Sequence, residues 1–77
     1  MQKDVILRYI YSHIKTNHNL NAAIDSNLKY DLDLDSLDTL DLATALEEEY
    51  NIVIDDDDII DWKTVEDVAN TVYKLLK

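Results

Sequence analysis

A chain of 77 residues with a formal net charge of −10 and no cysteine, glycine or proline must hold a small core without disulfides. The missing cysteine also removes a thiol nucleophile, a thiolate metal site and a redox pair from the polypeptide, and fits a reducing compartment. Residues 31–61 contain thirteen acids and no Lys or Arg, a belt that repels nucleic acid and anionic membranes and attracts basic protein surfaces.

One domain over residues 1–77 is expected. In MQKDVILRYIYSHIK, Asp4 and Arg8 interrupt any signal-peptide core. No apolar run approaches the roughly 18 residues of a membrane span. The chain therefore reads as soluble and cytoplasmic, or as resident in an equivalent organelle compartment. Residues 3–16 form a first helix, with Val5, Ile6, Tyr9, Ile10 and Ile14 at helical spacing and Leu7 and Tyr11 widening the stripe. His13 falls inside that stripe as a packed or rim residue, and Asn17, His18 and Asn19 break the helix.

A long connection follows over residues 17–35. The spacing of Ile24, Leu28 and Leu32 predicts a loop pinned to the core, with Asn and Asp making the turns that glycine makes elsewhere. Ser36 to Tyr50 reads as the second helix, SLDTLDLATALEEEY, capped by Asp35 with Asp38 as reciprocal partner in a capping box. Two apolar sectors lie on this helix. Thr39, Leu42, Ala43, Leu46 and Tyr50 form an ordinary core stripe. Leu37, Leu40 and Thr44 fall roughly opposite, among Asp41, Glu47 and Glu48. On helix geometry alone, that second sector is either a docking surface for a basic partner or a face packed against another helix.

Asn51 ends the helix, and Ile52, Val53 and Ile54 form an apolar connector. Residues 55–61, DDDDIID, read as one short helix anchored by Ile59 and Ile60, with Trp62 packing inward nearby. Thr64 and Asp67 cap a last helix carrying Val65, Val68, Ala69, Val72 and Leu76 on one face. The fold class is all-α, a small four-helix bundle of three longer helices and one short one.

Asp31-x-Asp33-x-Asp35 opens like a calcium loop but has Ser36 and Leu42 where an EF-hand needs Gly and a bidentate Glu, so no metal site is expected. Asp55 to Asp58 read as a solvated acidic face. A serine nucleophile needs a base within hydrogen-bond reach and an oxyanion hole. His13 and His18 lie on another element, so no intrinsic enzyme is expected.

What remains is a serine displayed for another protein to modify. The run Asp35-Ser36-Leu37-Asp38, the following LDLATALEEEY, the Ile52-Val53-Ile54 connector and the Thr64-Val65 helix start resemble the acyl carrier proteins over essentially the whole chain. The resemblance implies that Ser36 receives a covalent 4′-phosphopantetheine arm from coenzyme A. A separate Mg²⁺-dependent phosphopantetheinyl transferase adds it, with Asp35 helping to place the metal. Acyl groups then ride as thioesters on the arm, within fatty-acid synthesis or a related lipid or polyketide pathway. The implied acyl-cavity lining is Leu28, Leu32, Leu42, Leu46, Ile54, Ile59, Trp62, Val65 and Val68.

The implied docking face for basic patches on acyl-transfer and chain-elongation enzymes is Leu37, Asp38, Leu40, Asp41, Glu47 and Glu48. A monomer is expected, with no nucleic acid bound and no membrane insertion. Three positions depart from the family pattern. Asp33 stands where a glycine is common, Asp55 where a proline often precedes the short helix, and Trp62 where a smaller aliphatic residue is common. Peptidyl and D-alanyl carriers match this sequence less well. A different class, an acidic interaction module, would use the same fold with Ser36 as part of a helix cap only; a small metal-binding protein is a third.

Self-repulsion within the belt lowers stability, so added salt or Mg²⁺ should raise the melting temperature. A thermal melt followed by circular dichroism, unchanged across both titrations, would contradict this.

Overall fold

The computed structural model describes residues 2–76, which fold into four helices: α1 (Gln2–His18), α2 (Ser36–Tyr50), α3 (Asp56–Asp61) and α4 (Val65–Leu76). The all-α class and the helix order agree with the sequence reading. Ile6, Leu7, Ile10 and Ile14 of α1 pack with Leu42, Ala43 and Leu46 of α2 and with Val65, Val68, Ala69 and Val72 of α4 in one buried cluster. Val5 is the member of the expected α1 stripe that faces out. Tyr9 joins α1 to α2 through an edge-on ring contact with Tyr50 at 6.0 Å and a 3.4 Å bond to the Ala45 carbonyl.

Helix α1 runs two residues past its expected end at residue 16. The Asn17 amide bonds back to the His13 carbonyl at 2.8 Å, which helps to carry the helix through Asn17. Asn19 then stops it with φ 56°, its N–H bonded to the Lys15 carbonyl. Asparagine tolerates this left-handed backbone better than most residues. Asn51 does the same at the end of α2, with φ 55° and its N–H on the Glu47 carbonyl.

The first loop is pinned as expected, but partly by its backbone. Leu28, Leu32 and Leu34 are buried, whereas Ile24 is 39% exposed. Asn27 and Thr64 form an isolated antiparallel bridge, and Leu28 N–H donates to the Lys63 carbonyl at 2.8 Å. Val65 and Glu66, the first residues of α4, donate to the Ser26 and Ile24 carbonyls at 3.1 and 3.0 Å. These amides have no partner inside their own helix, so the loop supplies one.

Two caps fall where the sequence puts them. Asp35 Oδ1 accepts the Asp38 N–H at 2.9 Å and Asp38 Oδ2 accepts the Asp35 N–H at 3.2 Å, a complete capping box. Asp67 Oδ2 accepts from the Lys63 and Thr64 N–H groups at 2.9 and 3.0 Å, while Thr64 Oγ1 accepts the Asp67 N–H. Residues 52–54 are a connector, held by a 2.8 Å bond from Ile54 N–H to Glu47 Oε2. Trp62 is buried against the core with its indole N–H on Thr71 Oγ1 at 2.9 Å.

Leu46 is fully buried and Leu37 is 75% exposed. Leu46→Ala should therefore cost about 2–5 kcal/mol in a urea titration, and Leu37→Ser should stay within about 0.5 kcal/mol of the parent. Burial alone would raise the Asp67 carboxyl, but the Lys63 and Thr64 backbone bonds, the Thr64 hydroxyl and the Lys63 charge outweigh it and hold the group below its ordinary 3.8. A carboxyl lowered on folding stabilises the fold above that ordinary value and loses this contribution as pH falls through the lowered one. Asp67→Asn should cost about 1 kcal/mol at neutral pH and should flatten the acid limb of the stability–pH curve. Parallel acid limbs in parent and variant would contradict it.

Candidate functional site

Ser36 is the first residue of α2, and the cap before it is Asp35. Because Asp35 takes the capping bond, the exposed Ser36 hydroxyl makes no hydrogen bond within the described residues. The helix start is held by hydrogen bonds on both sides. Asp33 bends the approach with φ 54°, at the position where the sequence reading noted the absence of glycine, and the Leu34 N–H bonds to the Leu28 carbonyl at 2.9 Å. Thr39 Oγ1 closes the first turn on the Asp35 carbonyl at 3.0 Å.

Ser36 opens onto a groove of about 1180 Å³ between the first loop, the start of α2 and α3. Its apolar walls are Leu28, Tyr30, Leu34, Leu40, Ile59, Ile60 and Trp62. Asp33, Asp35 and Asp56 supply its negative edge, and Lys29 and Lys63 its cations. A slot with apolar walls and a hydroxyl at its mouth suits a flexible chain fixed at one end.

Of the expected acyl-cavity residues, Leu28, Ile59 and Trp62 line this groove. Leu32, Leu42, Leu46, Ile54, Val65 and Val68 are buried in the core cluster and have no share in it. Both sets are apolar and periodic, so periodicity could not separate a closed core from a groove wall. Leu34, Leu40, Tyr30 and Ile60 were not foreseen as lining. The alternation of acid and leucine over residues 31–35 gave no signal that separates Leu34 from Leu32, because the left-handed turn at Asp33 breaks the extended backbone on which such alternation would place both on one side. For Ile60 the signal was its adjacency to Ile59, because a six-residue helix cannot turn both inward.

The proposed docking residues divide. Leu37 and Leu40 are 75% and 45% exposed, which settles the open question of whether that sector packs inside the domain. Asp41 and Glu48 are exposed, while Asp38 is half-buried and engaged in the capping box. Glu47 is half-buried and turned to the Ile54 amide, so it serves the end of α2 as well as its surface. On the flank facing α1, His13 Nε2 is buried and lies 3.5 Å from Asp41 Oδ2. His13 is thus a rim residue, and neither His13 nor His18 lines the groove beside Ser36. The arrangement displays a hydroxyl and a slot, with no histidine among the slot's lining residues.

The described residues include no group of three or more side chains able to hold a metal ion, and no helix long and apolar enough to cross a membrane. Asp35 Oδ1 is spent on the cap, while its Oδ2 accepts no bond from the described residues.

Residues 12–72 match the family profile described as "Phosphopantetheine attachment site". An acyl carrier protein of Onion yellows phytoplasma is 34% identical over 73 residues, covering 91% of this chain and 96% of that protein. "Acyl carrier protein 1, chloroplastic" of Hordeum vulgare is 46% identical over 46 residues, 60% of this chain and 31% of that protein. The chain spans less than two thirds of the length of several such relatives, 31%, 56% and 65% in three of them. The crystal structure of an acyl carrier protein from Thermotoga maritima overlays with a TM-score of 0.86 across 99% of this chain and 92% of that one, at 23% identity, a likeness of fold. The prosthetic group that this family carries is 4′-phosphopantetheine, bound covalently, and its members are carriers and not catalysts. Matched by that profile over most of its length and by the phytoplasma protein nearly end to end, the chain belongs to the acyl carrier protein family.

Proposed function

We propose that Ser36 is the attachment residue of the 4′-phosphopantetheine arm, and that the chain carries acyl groups as thioesters to the enzymes of fatty-acid synthesis or a related lipid or polyketide pathway. The observation that carries this reading is the exposed, unengaged Ser36 hydroxyl at a capped helix start, opening onto an apolar groove. Asp35 splits its two oxygens between the cap and a Mg²⁺ ion shared with the transferase, which supplies the remaining ligands together with coenzyme A.

Partner enzymes meet the exposed face of α2. Leu37 and Leu40 offer apolar contact, and Asp38, Asp41, Glu47 and Glu48 draw in basic patches by long-range steering. Glu47 contributes chiefly through its charge, since its carboxylate is tied to the Ile54 amide. The acyl chain lies first against Leu28, Ile59 and Trp62; the remaining expected lining, Leu32, Leu42, Leu46, Ile54, Val65 and Val68, is reached only if the core opens. A monomer working in the cytoplasm or an equivalent aqueous compartment completes the proposal, supported by the dominant negative charge and the absence of cysteine.

Intact-mass measurement after incubation with coenzyme A, Mg²⁺ and a broad-specificity phosphopantetheinyl transferase should show the gain of one arm. Ser36→Ala should abolish the gain while melting within a few degrees of the parent, because the cap belongs to Asp35. A folded parent that gains no arm, and carries none already, would leave the chain as an acidic interaction module.

A further inference from the structure

Helices α1 and α2 meet along a seam whose polar contacts step by one helical turn. Tyr9 donates to the Ala45 carbonyl at 3.4 Å. One turn further along α1, His13 Nε2 stands 3.5 Å from Asp41 Oδ2, which lies one turn back along α2. The His13 side chain is 12% exposed and that of Asp41 is 67% exposed. Among the described residues, His13 Nε2 is the one buried side-chain nitrogen or oxygen that makes no hydrogen bond. Leaving such an atom unpaired is costly, and Asp41 carries the one carboxylate of the described residues within 4.0 Å of it. The charged and titratable groups on the neighbouring elements act elsewhere. Glu48 and Glu49 of α2 bear on Tyr9, and Tyr9 on Tyr50. Asp25 of the first loop bears on Tyr11. In α4, Glu66 pairs with Lys3, and Asp67 holds the Lys63 and Thr64 amides. Arg8 and Lys15 of α1 itself are exposed.

We propose that His13 is a positioning residue for the docking face of α2 and makes partner docking pH-dependent through Asp41. The proposal rests on the reading of Asp41 as a docking acid. With its proton on Nε2, the imidazole can donate to Asp41 Oδ2 and draw the carboxylate across the seam; with the proton on Nδ1, it turns a lone pair toward an anion instead. The contact therefore favours the Nε2 proton, and favours imidazolium over the neutral ring. Histidine is the side chain whose ordinary charge change falls between pH 5 and 8. Falling pH thus sets a positive charge beside Asp41 and cancels one of the acids that attract basic patches. Asp38 and Glu47 are already tied to backbone amides. Asp41 and Glu48 are the exposed acids of that face with no hydrogen bond among the described residues, so the change falls on one of these two.

The test follows the two imidazoles of the full chain by long-range ¹H–¹⁵N NMR between pH 8 and 5.5, in the parent and in Asp41→Asn. The substitution should move the His13 titration to lower pH and leave that of His18 in place. Loading by the broad-specificity phosphopantetheinyl transferase is measured over the same range in the parent, His13→Gln, Asp41→Asn and the double variant. Dividing the parent's kcat/KM by that of His13→Gln removes the transferase's own pH dependence. This ratio should fall about twofold to fivefold from pH 8 to pH 5.5, the range for one exposed ion pair, and through KM. The same ratio taken in the Asp41→Asn background should stay flat. A His13 titration identical in parent and Asp41→Asn, a flat parent ratio, or a ratio that falls equally without Asp41 overturns the proposal. The docking reading still stands in those cases if Asp41→Asn raises KM at pH 8. A KM untouched by Asp41→Asn at pH 8 takes Asp41 off the docking face and overturns both.

Discussion

The amides of Val65 and Glu66 point out of the N-terminus of α4 into the carbonyls of Ser26 and Ile24, and the Leu28 amide returns a bond to Lys63. These three bonds tie the middle of the long first loop to the turn between α3 and α4. Ordering that loop costs backbone entropy of about 1–2 kcal/mol for each residue, which these bonds and the leucines buried behind them offset. With the loop tied there, Leu28, Leu32 and Leu34 are buried in the core and Asp35 stands at the start of α2 with its carboxylate in capping position. The groove has the pinned loop as one wall and the turn bearing Trp62 and Lys63 as its floor. The position of the serine is therefore set by contacts at the far end of the chain.

Several of the acids are placed where helix geometry favours them, although Glu47 to Glu49 crowd the last turn of α2. Asp38, Asp56 to Asp58, Glu66 and Asp67 all fall in first turns, next to the positive ends of helix dipoles. Several carboxylates accept backbone amides: Asp31 within the first loop, Asp35 and Asp38 at α2, and Asp67 before α4. Glu47 closes the opposite end of α2 by holding the Ile54 amide. The negative charge that repels itself in bulk is thus partly converted into local hydrogen bonds, which are stronger for being charge-assisted. What is left over, Asp41, Glu48 and the exposed leucines beside them, faces solvent.

Much of this was legible in the residues. Both caps, the four helices and their order follow from spacing and from Asp or Thr three residues ahead of a second Asp. The left-handed turns at Asn19, Asp33 and Asn51 follow from the absence of glycine, which leaves Asn and Asp as the residues best able to adopt them. The end of α1 was misplaced because the Asn17 side chain, which reads as a breaker, instead bonds to the carbonyl one turn back. The backbone bridge between Asn27 and Thr64 left no mark in the side-chain pattern, since main-chain bonds need no particular residue. Without that bridge in view, nothing placed Lys29 beside Lys63. The groove they share was out of reach of a sequence reading.

Asp55 shows the same limit from the other side. Its backbone, φ −69° and ψ 145°, is the conformation a proline would enforce, and its side chain makes no capping bond to α3. The short helix thus keeps the entry that a proline would give, while a residue with more unfolded-state freedom occupies it. The cost falls on stability and not on geometry, so the site beside it is undisturbed. Trp62 completes the trade. Its indole fills space that a smaller side chain would leave open, and its N–H is satisfied by Thr71. Six of the nine residues expected along an internal cavity are buried in the core and do not line the space beside Ser36.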